Sequence, residues 1–416
     1  MLSLKVPTGP RHAGYRWLTS SAREFTTRLR HMADEERAYG QWHELYHEVV
    51  TTNLCTGCAA CIMACPRDVL DYEHDAYHPF NTENTTPFDD CIHGQRGCDI
   101  CTKACPRFRA WEIESDEALF GRARTVDEVI GIYRDIYLVR ANDEKIFDAG
   151  QDGGLVSAML IWGLENGKID GGLTSKLSEE RVWDAEPCVV TNREEVLASA
   201  GSRYTYAANP LAMKEAEKRG LKNLALVGMS CQSSINGTLS ARNVNKYRRR
   251  IQLVIGLLCS KSFTYDGLTK AITQDYGIPY DDVEKVNIKG RFQMWKRSTG
   301  EEVDIPLKEL HQYTREGCKL CPDFAAEHAD ISTGGLGQGD GWTLTIVRTE
   351  RGAEWMRELQ DAGWITVRPG SEDEAAVELM RKLAAKSRRR WPGELDKEEF
   401  LAPRAIPEKY MPKPKA

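Results

Sequence analysis

Apolar and β-branched residues run together at Ile136–Val139, Leu224–Val227, Ile251–Ile255 and Leu344–Val347. Unbroken runs of this length predict strands buried on both faces. Helical stretches are expected between them, at 155–166, 192–200, 209–219 and 266–276. Strand and helix in alternation predict an α/β main domain from residue 132 to about 370. Upstream, 33–50 reads as a short amphipathic helix, the polar and aromatic 71–90 as a loop with short strands, and the acidic 111–131 as an irregular linker. A last helix is expected over 374–386. It is followed by Arg388-Arg-Arg390, which reads as solvated surface, and by a Pro- and Lys-rich tail.

Composition narrows the picture. A chain of 416 residues with 41% hydrophobic and 8% aromatic content is globular and long enough for two or three domains. A net charge of −6 carries no nucleic-acid footprint. The longest apolar runs, 155–164 and 251–259, are too short to span a bilayer, so no integral membrane segment is expected. Residues 1–31 set Lys5, Arg11, Arg16, Arg23, Arg28 and Arg30 against the single acid Glu24. They read as a flexible arm ahead of a working start at Met32 rather than as a transit peptide, because no cleavage signal follows.

The cysteines carry the chemistry. Eight of the thirteen fall into two blocks, Cys55-x2-Cys58-x2-Cys61-x3-Cys65-Pro66 and Cys91-x6-Cys98-x2-Cys101-x3-Cys105-Pro106. Three close cysteines and a fourth before proline make the bacterial ferredoxin run, whose fourth thiolate ligates the other cluster. One [4Fe–4S] cubane is then expected on Cys55, Cys58, Cys61 and Cys105, and another on Cys91, Cys98, Cys101 and Cys65. Gly57, Ala59, Ala60 and Ala64 leave room for thiolates to converge, and Pro66 and Pro106 turn the chain away. Zinc is the alternative, but it needs four ligands per ion and has no use for a third cysteine plus Cys-Pro. Clustered reduced thiols in a large chain point to a reducing, cytoplasmic setting. The expected division is an extension with a short helix over 1–46, a small α+β ferredoxin-like domain over 47–112, a linker over 113–131, the α/β domain over 132–370 and a C-terminal helix and tail over 371–416.

Five cysteines remain. Cys188, in the apolar run to Val190, reads as a buried structural thiol, the usual fate of free cysteine. Periodicity alone gives Cys231 and Cys259 the same reading. Both, however, close predicted strands, where α/β folds place their sites, and with the pair Cys318 and Cys321 they could supply a third cluster. Gln151-Asp152-Gly153-Gly154 opens a helix and Gly334–Gly341 precedes a strand; neither fits a dinucleotide or P-loop pattern.

Seven segments in order carry a resemblance: Gln151-Asp-Gly-Gly154, Ala200-Gly-Ser-Arg-Tyr-Thr205, Cys231-Gln232, Gly256-Leu-Leu-Cys259, Gly317-Cys-x2-Cys321-x-Asp-Phe324, Ala329-Asp-Ile-Ser-Thr-Gly334 and Gly341-Trp-Thr. Residues 132–390 resemble the beta subunit of coenzyme F420-reducing hydrogenase, and the part in front resembles the extra domain of F420H(2) dehydrogenase input subunits. Met229-Ser230 departs from the proline usual before Cys231. The resemblance implies an FAD site lined by Asp152, Gly153, Gly154, Arg203, Tyr204 and Thr205, and a neighbouring deazaflavin site. It also implies a third cluster on Cys231, Cys259, Cys318 and Cys321. It implies an oxidoreductase exchanging hydride with coenzyme F420 and electrons with a redox partner protein or complex subunit, and leaves an oligomer open. The alternatives are a ferredoxin-dependent reductase of another substrate and a non-catalytic electron-transfer subunit.

Overall fold

Eight strands make the central sheet: β1 (Asp135–Ala141), β2 (Gly171–Leu177), β3 (Ala185–Val190), β4 (Leu224–Met229), β5 (Ile251–Leu257), β6 (Ile331–Gly334), β7 (Thr343–Val347) and β8 (Ile365–Pro369). They lie in the order β8-β1-β7-β6-β5-β4-β2-β3. From β6 to β2 the pairing is parallel. The strand β7 runs antiparallel between β6 and β1, and both edge strands are antiparallel to their neighbours. The four apolar runs are the interior strands β1, β4, β5 and β7. Helices cover both faces, so these strands need no polar alternation. Val139, Met159 and Ile255 belong to the core on one face, and Met213, Leu226 and Val254 to the core on the other. Fully burying one such side chain is worth about 1.5–3 kcal/mol.

This computed structural model describes residues 40–390 except 110 and 337–340. The basic extension, the first half of the expected 33–50 helix, the middle of the second glycine segment and the C-terminal tail lie outside them. From Gln41 onward the chain forms one compact unit. Among the described residues no helix is long and apolar enough to cross a membrane. A separate three-stranded sheet (Val283–Ile288, Phe292–Lys296, Glu302–Ile305) has its own core around Phe292 and Met294.

In the cysteine-rich part, short helices Ala60–Ala64 and Ile100–Ala104 end at Cys65 and Cys105, both extended. Proline at the next position forces that conformation on its predecessor. A hairpin of Leu70–Glu73 and His78–Asn81 lies between the two blocks.

Two expectations are corrected. The linker is not irregular: it begins with α1 (Glu112–Phe120), whose Ser115 and Asp116 are buried, and Arg124 beyond it is buried too. Nor is Arg388-Arg-Arg390 a solvated run. It ends α3 (Glu374–Arg388), and Arg388 is 4% exposed, paired with Glu112 and Glu327. Both segments look polar because their charges meet each other inside the protein, and composition alone does not reveal a partner hundreds of residues away.

Candidate functional site

The twelve candidate cysteines gather in three groups of four. A single cavity is lined by Cys55, Cys58, Cys61 and Cys105, with Leu45, Val49 and Arg107. Burial, and then Cys105, Cys58 and Cys55, push the Cys61 thiol well up. In the second group burial, and then Cys98, Cys65 and Cys91, do the same to Cys101. In the third, burial and then Cys318, Cys231 and Cys321 do so to Cys259. Burial lifts Cys55 and Cys105 to about 12. Such thiols keep their protons unless a cation takes the sulfur, so metal binding here releases protons. Four cysteines around one cavity, as in the Cys55 group, are a donor set of the kind that holds an iron–sulfur cubane.

The third group lies at the carboxyl edge of the parallel strands. Cys231 follows β4 in the short helix Ser230–Ser233, so the departure at Met229-Ser230 still delivers a buried cysteine. The Ser230 hydroxyl donates to the Phe324 carbonyl (3.0 Å), tying that turn to the Cys318–Cys321 loop. Cys259 follows β5 and donates its amide to the same Phe324 oxygen. Cys188 stands apart on the edge strand β3, half-buried.

The first and third groups adjoin. A Cβ on Gly317 would stand 2.1 Å from the Cys55 carbonyl oxygen, and one on Gly57 would meet Arg315 Nη2 at 2.7 Å. With Gly57 also at φ +69, only glycine allows these two ligand loops to touch. Two arginines lie in the joint. The Arg107 guanidinium donates to Cys321 Sγ (3.3 Å) while its main-chain amide donates to Cys105 Sγ (3.4 Å). Arg315 donates to the Thr56 carbonyl (2.8 Å), approaches Cys318 Sγ (3.9 Å) and stacks on Tyr206 (3.5 Å to the ring centroid). The Tyr206 hydroxyl lies 3.4 Å from Cys231 Sγ. Sequence reasoning misses Arg107, Tyr206 and Arg315. The available signal is adjacency, since Arg107 follows Cys105-Pro106 and Arg315 precedes Cys318 by three residues.

The flavin motifs collect at the same edge. The Ala141 amide at the end of β1 donates to the Gly153 carbonyl, and a Cβ on Gly153 would meet Val139 and Thr343, so this loop lies across β1 and β7. Gly154 caps α2 (Leu155–Glu165). Asp152 reaches Gly335 just beyond β6, and Gln151 accepts from the Ser202 amide (3.3 Å), bringing in the Ala200–Thr205 loop. Arg203 donates to the carbonyls of Ser199, Ala200 and Gly201 at the end of helix Arg193–Ala198. Its buried Nε has no hydrogen-bond partner, among the described residues no carboxylate pairs with it, and burial draws its pKa down. A half-buried cation of this kind suits an anionic ligand. Tyr204 packs edge-on against Phe292 (5.6 Å) with Asp152 and Ser202 near its hydroxyl, and Thr205 bonds Trp183 and Ala185.

Comparison with known proteins gives the family. The family described as "Coenzyme F420 hydrogenase/dehydrogenase, beta subunit" matches at residues 136–214 for its N-terminal model and 221–373 for its C-terminal model, and a 4Fe-4S binding domain matches at 48–71. The chain is 34% identical to the beta subunit of coenzyme F420 hydrogenase from Methanothermobacter thermautotrophicus, over 62% of this chain and 93% of that one. It is 29% identical to an F(420)H(2) dehydrogenase subunit of Methanosarcina mazei, over 82% and 91%. A chain of the F420-reducing [NiFe] hydrogenase complex from Methanosarcina barkeri superposes with a TM-score of 0.60 at 29% identity, covering 63% of this chain and 91% of that one. The protein under study therefore belongs to the family of coenzyme F420 hydrogenase/dehydrogenase beta subunits.

Proposed function

We propose that this protein is a cytoplasmic oxidoreductase that exchanges hydride with coenzyme F420 at an FAD and passes single electrons to a redox partner through three [4Fe–4S] clusters. A bound flavin supplies the conversion from the two-electron chemistry of a deazaflavin to the one-electron chemistry of iron–sulfur clusters. The residues' own tasks are to hold, screen and order. Asp152, Gly153 and Gly154 bring main chain to the carboxyl edge of the sheet, where α/β folds bind ligands. Arg203 would meet the anionic part of the dinucleotide. The three thiol groups make a row: Cys101 of an outer group with Cys91, Cys98 and Cys65 neighbours Cys61 of a middle group with Cys55, Cys58 and Cys105, and Cys58 neighbours Cys231 of an inner group with Cys259, Cys318 and Cys321.

The coenzyme's anionic tail needs cations, and one cluster offers them. Lys261, Lys386 and Arg390 lie near one another, and Arg390 donates to the carbonyls of Ser260 and Cys318. We place the tail there, beside Cys259.

The observation that carries this reading is the meeting of the glycine loops, the third cysteine group and the ferredoxin-like loops at one edge of the sheet. Anaerobic stopped-flow mixing with reduced coenzyme F420 tests it. Flavin absorbance should bleach within the turnover time, followed by bleaching of the broad iron–sulfur absorbance. FAD-loaded protein that dithionite bleaches but reduced F420 does not would overturn the hydride step.

A further inference from the structure

We propose that Arg107, seconded by Arg315, is a counter-charge shared by two adjacent iron–sulfur clusters, raising the reduction potential of both. The inference rests on the reading that the Cys55 and Cys231 groups each hold a cubane. Arg107 is 2% exposed and Arg315 3%, and among the described residues neither makes an ion pair with a carboxylate. The Nε of each is buried with no hydrogen-bond partner. A guanidinium stays charged at any ordinary pH, and burying that charge without compensation is strongly unfavourable. The compensating groups within hydrogen-bond reach are sulfurs, Cys105 Sγ and Cys321 Sγ for Arg107 and Cys318 Sγ for Arg315, with the Asp323 carboxyl acting on Arg107 from farther off.

These sulfurs belong to different groups. Through its amide Arg107 touches a ligand of the middle group, and through its side chain a ligand of the inner one. Adding an electron to either cluster adds negative charge next to the same fixed cation. Hydrogen bonds to ligand sulfur and nearby positive charge stabilise the reduced cluster and raise its potential. In a site shielded from water the effect is only weakly screened. The side chain is held for this task, stacked on Trp111 (4.5 Å) and bonded to the Pro106 carbonyl (3.0 Å). Arg107 is thus a positioning and tuning residue rather than a catalytic one.

EPR-monitored potentiometric titration of the whole, cluster-loaded protein tests this, with dithionite as reductant and no F420 present. In Arg107→Gln, two of the three midpoints should fall. The reduced-to-oxidised ratio of each at a fixed potential should drop about tenfold, equivalent to about 59 mV for one electron. The midpoint of the outer cluster should not move. Tyr206→Phe, which loses a hydroxyl beside Cys231 alone, should lower one midpoint only. Arg107→Gln with full iron content and three unmoved midpoints overturns the proposal, as does an equal shift of all three. If Arg107→Gln does not retain its iron, Arg107→Lys and Arg315→Lys decide. They keep the charge but lose the planar fork, and should shift the same two midpoints downward by a smaller factor, about threefold; unmoved midpoints in both overturn it. Wild-type protein with iron for only two clusters removes the proposal together with the cluster count. Failure to react with F420 would strike the hydride step and leave these titrations standing.

Discussion

Two sets of buried arginines lie within the same compact unit and are balanced in opposite ways. Arg124 is paired with Asp116 (2.6 Å) and with Glu327, which also takes Arg388, while His328 closes the network on Asp116 (3.0 Å). Every charge there has a partner supplied by the chain itself. Arg107 and Arg315 have sulfur, aromatic rings and carbonyls but, among the described residues, no carboxylate ion pair. The first set is complete as a polypeptide, and the second becomes balanced when its thiols are thiolates on iron. The contrast teaches where a fold depends on its cofactor: at the buried cations that its own acids do not answer.

Removing iron should therefore have the largest effect and a local one. Without metal, Cys55 and Cys105 revert to thiols, because burial holds their pKa at about 12. Arg107 and Arg315 then lose the anionic sulfurs beside them, which leaves Arg107 with only the more distant Asp323, at a cost on the order of 3–5 kcal/mol each by analogy with a broken buried pair. Anaerobic chelation followed by hydrogen exchange should show opening at 55–58, 105–108 and 315–321, with α2 and the strands β4 and β5 still protected. Uniform exchange across the chain would erase the distinction between the two sets.

Asp116→Asn probes the other set and should destabilise the protein by about 3–5 kcal/mol with its clusters still in place. It leaves Arg124 short of one counter-ion and replaces one of the two acceptor oxygens facing Arg124 and His328 with an amide donor. The wild type carries the same liability toward acid. Burial pushes Asp116 upward, but Arg124 and His328 outweigh it and hold the carboxyl far below its usual value. A depressed folded pKa gives stability that is fully present above the unfolded value of about 3.9 and is lost as pH falls through and below it. Acid denaturation midpoints, compared between wild type and Asp116→Asn, should converge at low pH.

How legible these regions are in the sequence follows the same division. The interior strands are readable because an unbroken apolar run has few other uses, and the eight ferredoxin-like cysteines because their spacing is the ligand geometry itself. The network around Asp116 is not. Its members come from α1, the 327–328 turn and the end of α3, and each taken alone looks like surface charge. Arg107 and Arg315 escape notice for a different reason: a cation beside a cysteine ligand has no spacing rule. At the flavin loops the glycines are visible, but sequence does not show that the Tyr204 ring packs on Phe292 of the separate three-stranded sheet.

Gly317→Ala sharpens the comparison at a smaller scale. The added methyl would lie 2.1 Å from the Cys55 carbonyl oxygen, with Thr56 Cα at 2.9 Å, so main chain must shift. Overpacking of this kind costs about 1–3 kcal/mol. If the two ligand loops form one joint, the variant should lose iron from the middle and inner groups together and keep the outer cluster. Loss confined to the inner group would show that the loops touch without depending on each other.

The smallest expected effect is at Arg203, which shares with Arg107 a buried, unpartnered Nε and, among the described residues, the lack of a carboxylate ion pair. Unlike Arg107 it lies beside no candidate cluster ligand but beside Cys188, whose thiol burial keeps protonated, so the charge it answers should be that of a diffusible ligand. Arg203→Gln should weaken FAD binding about tenfold, equivalent to about 1.4 kcal/mol, since the helix-end carbonyls keep a hydrogen-bond donor while the anion loses its cation. Arg203→Lys, which keeps the charge, should recover part of that loss. The dissociation constant in wild type should rise with salt more steeply than in Arg203→Gln, because only the wild type has this charge to screen. Fluorescence titration of deflavinated protein with FAD at two ionic strengths reads all three quantities. Equal affinities and equal salt slopes would leave Arg203 as a helix cap and nothing more, and would move the search for the pyrophosphate site to the Gln151–Gly154 loop.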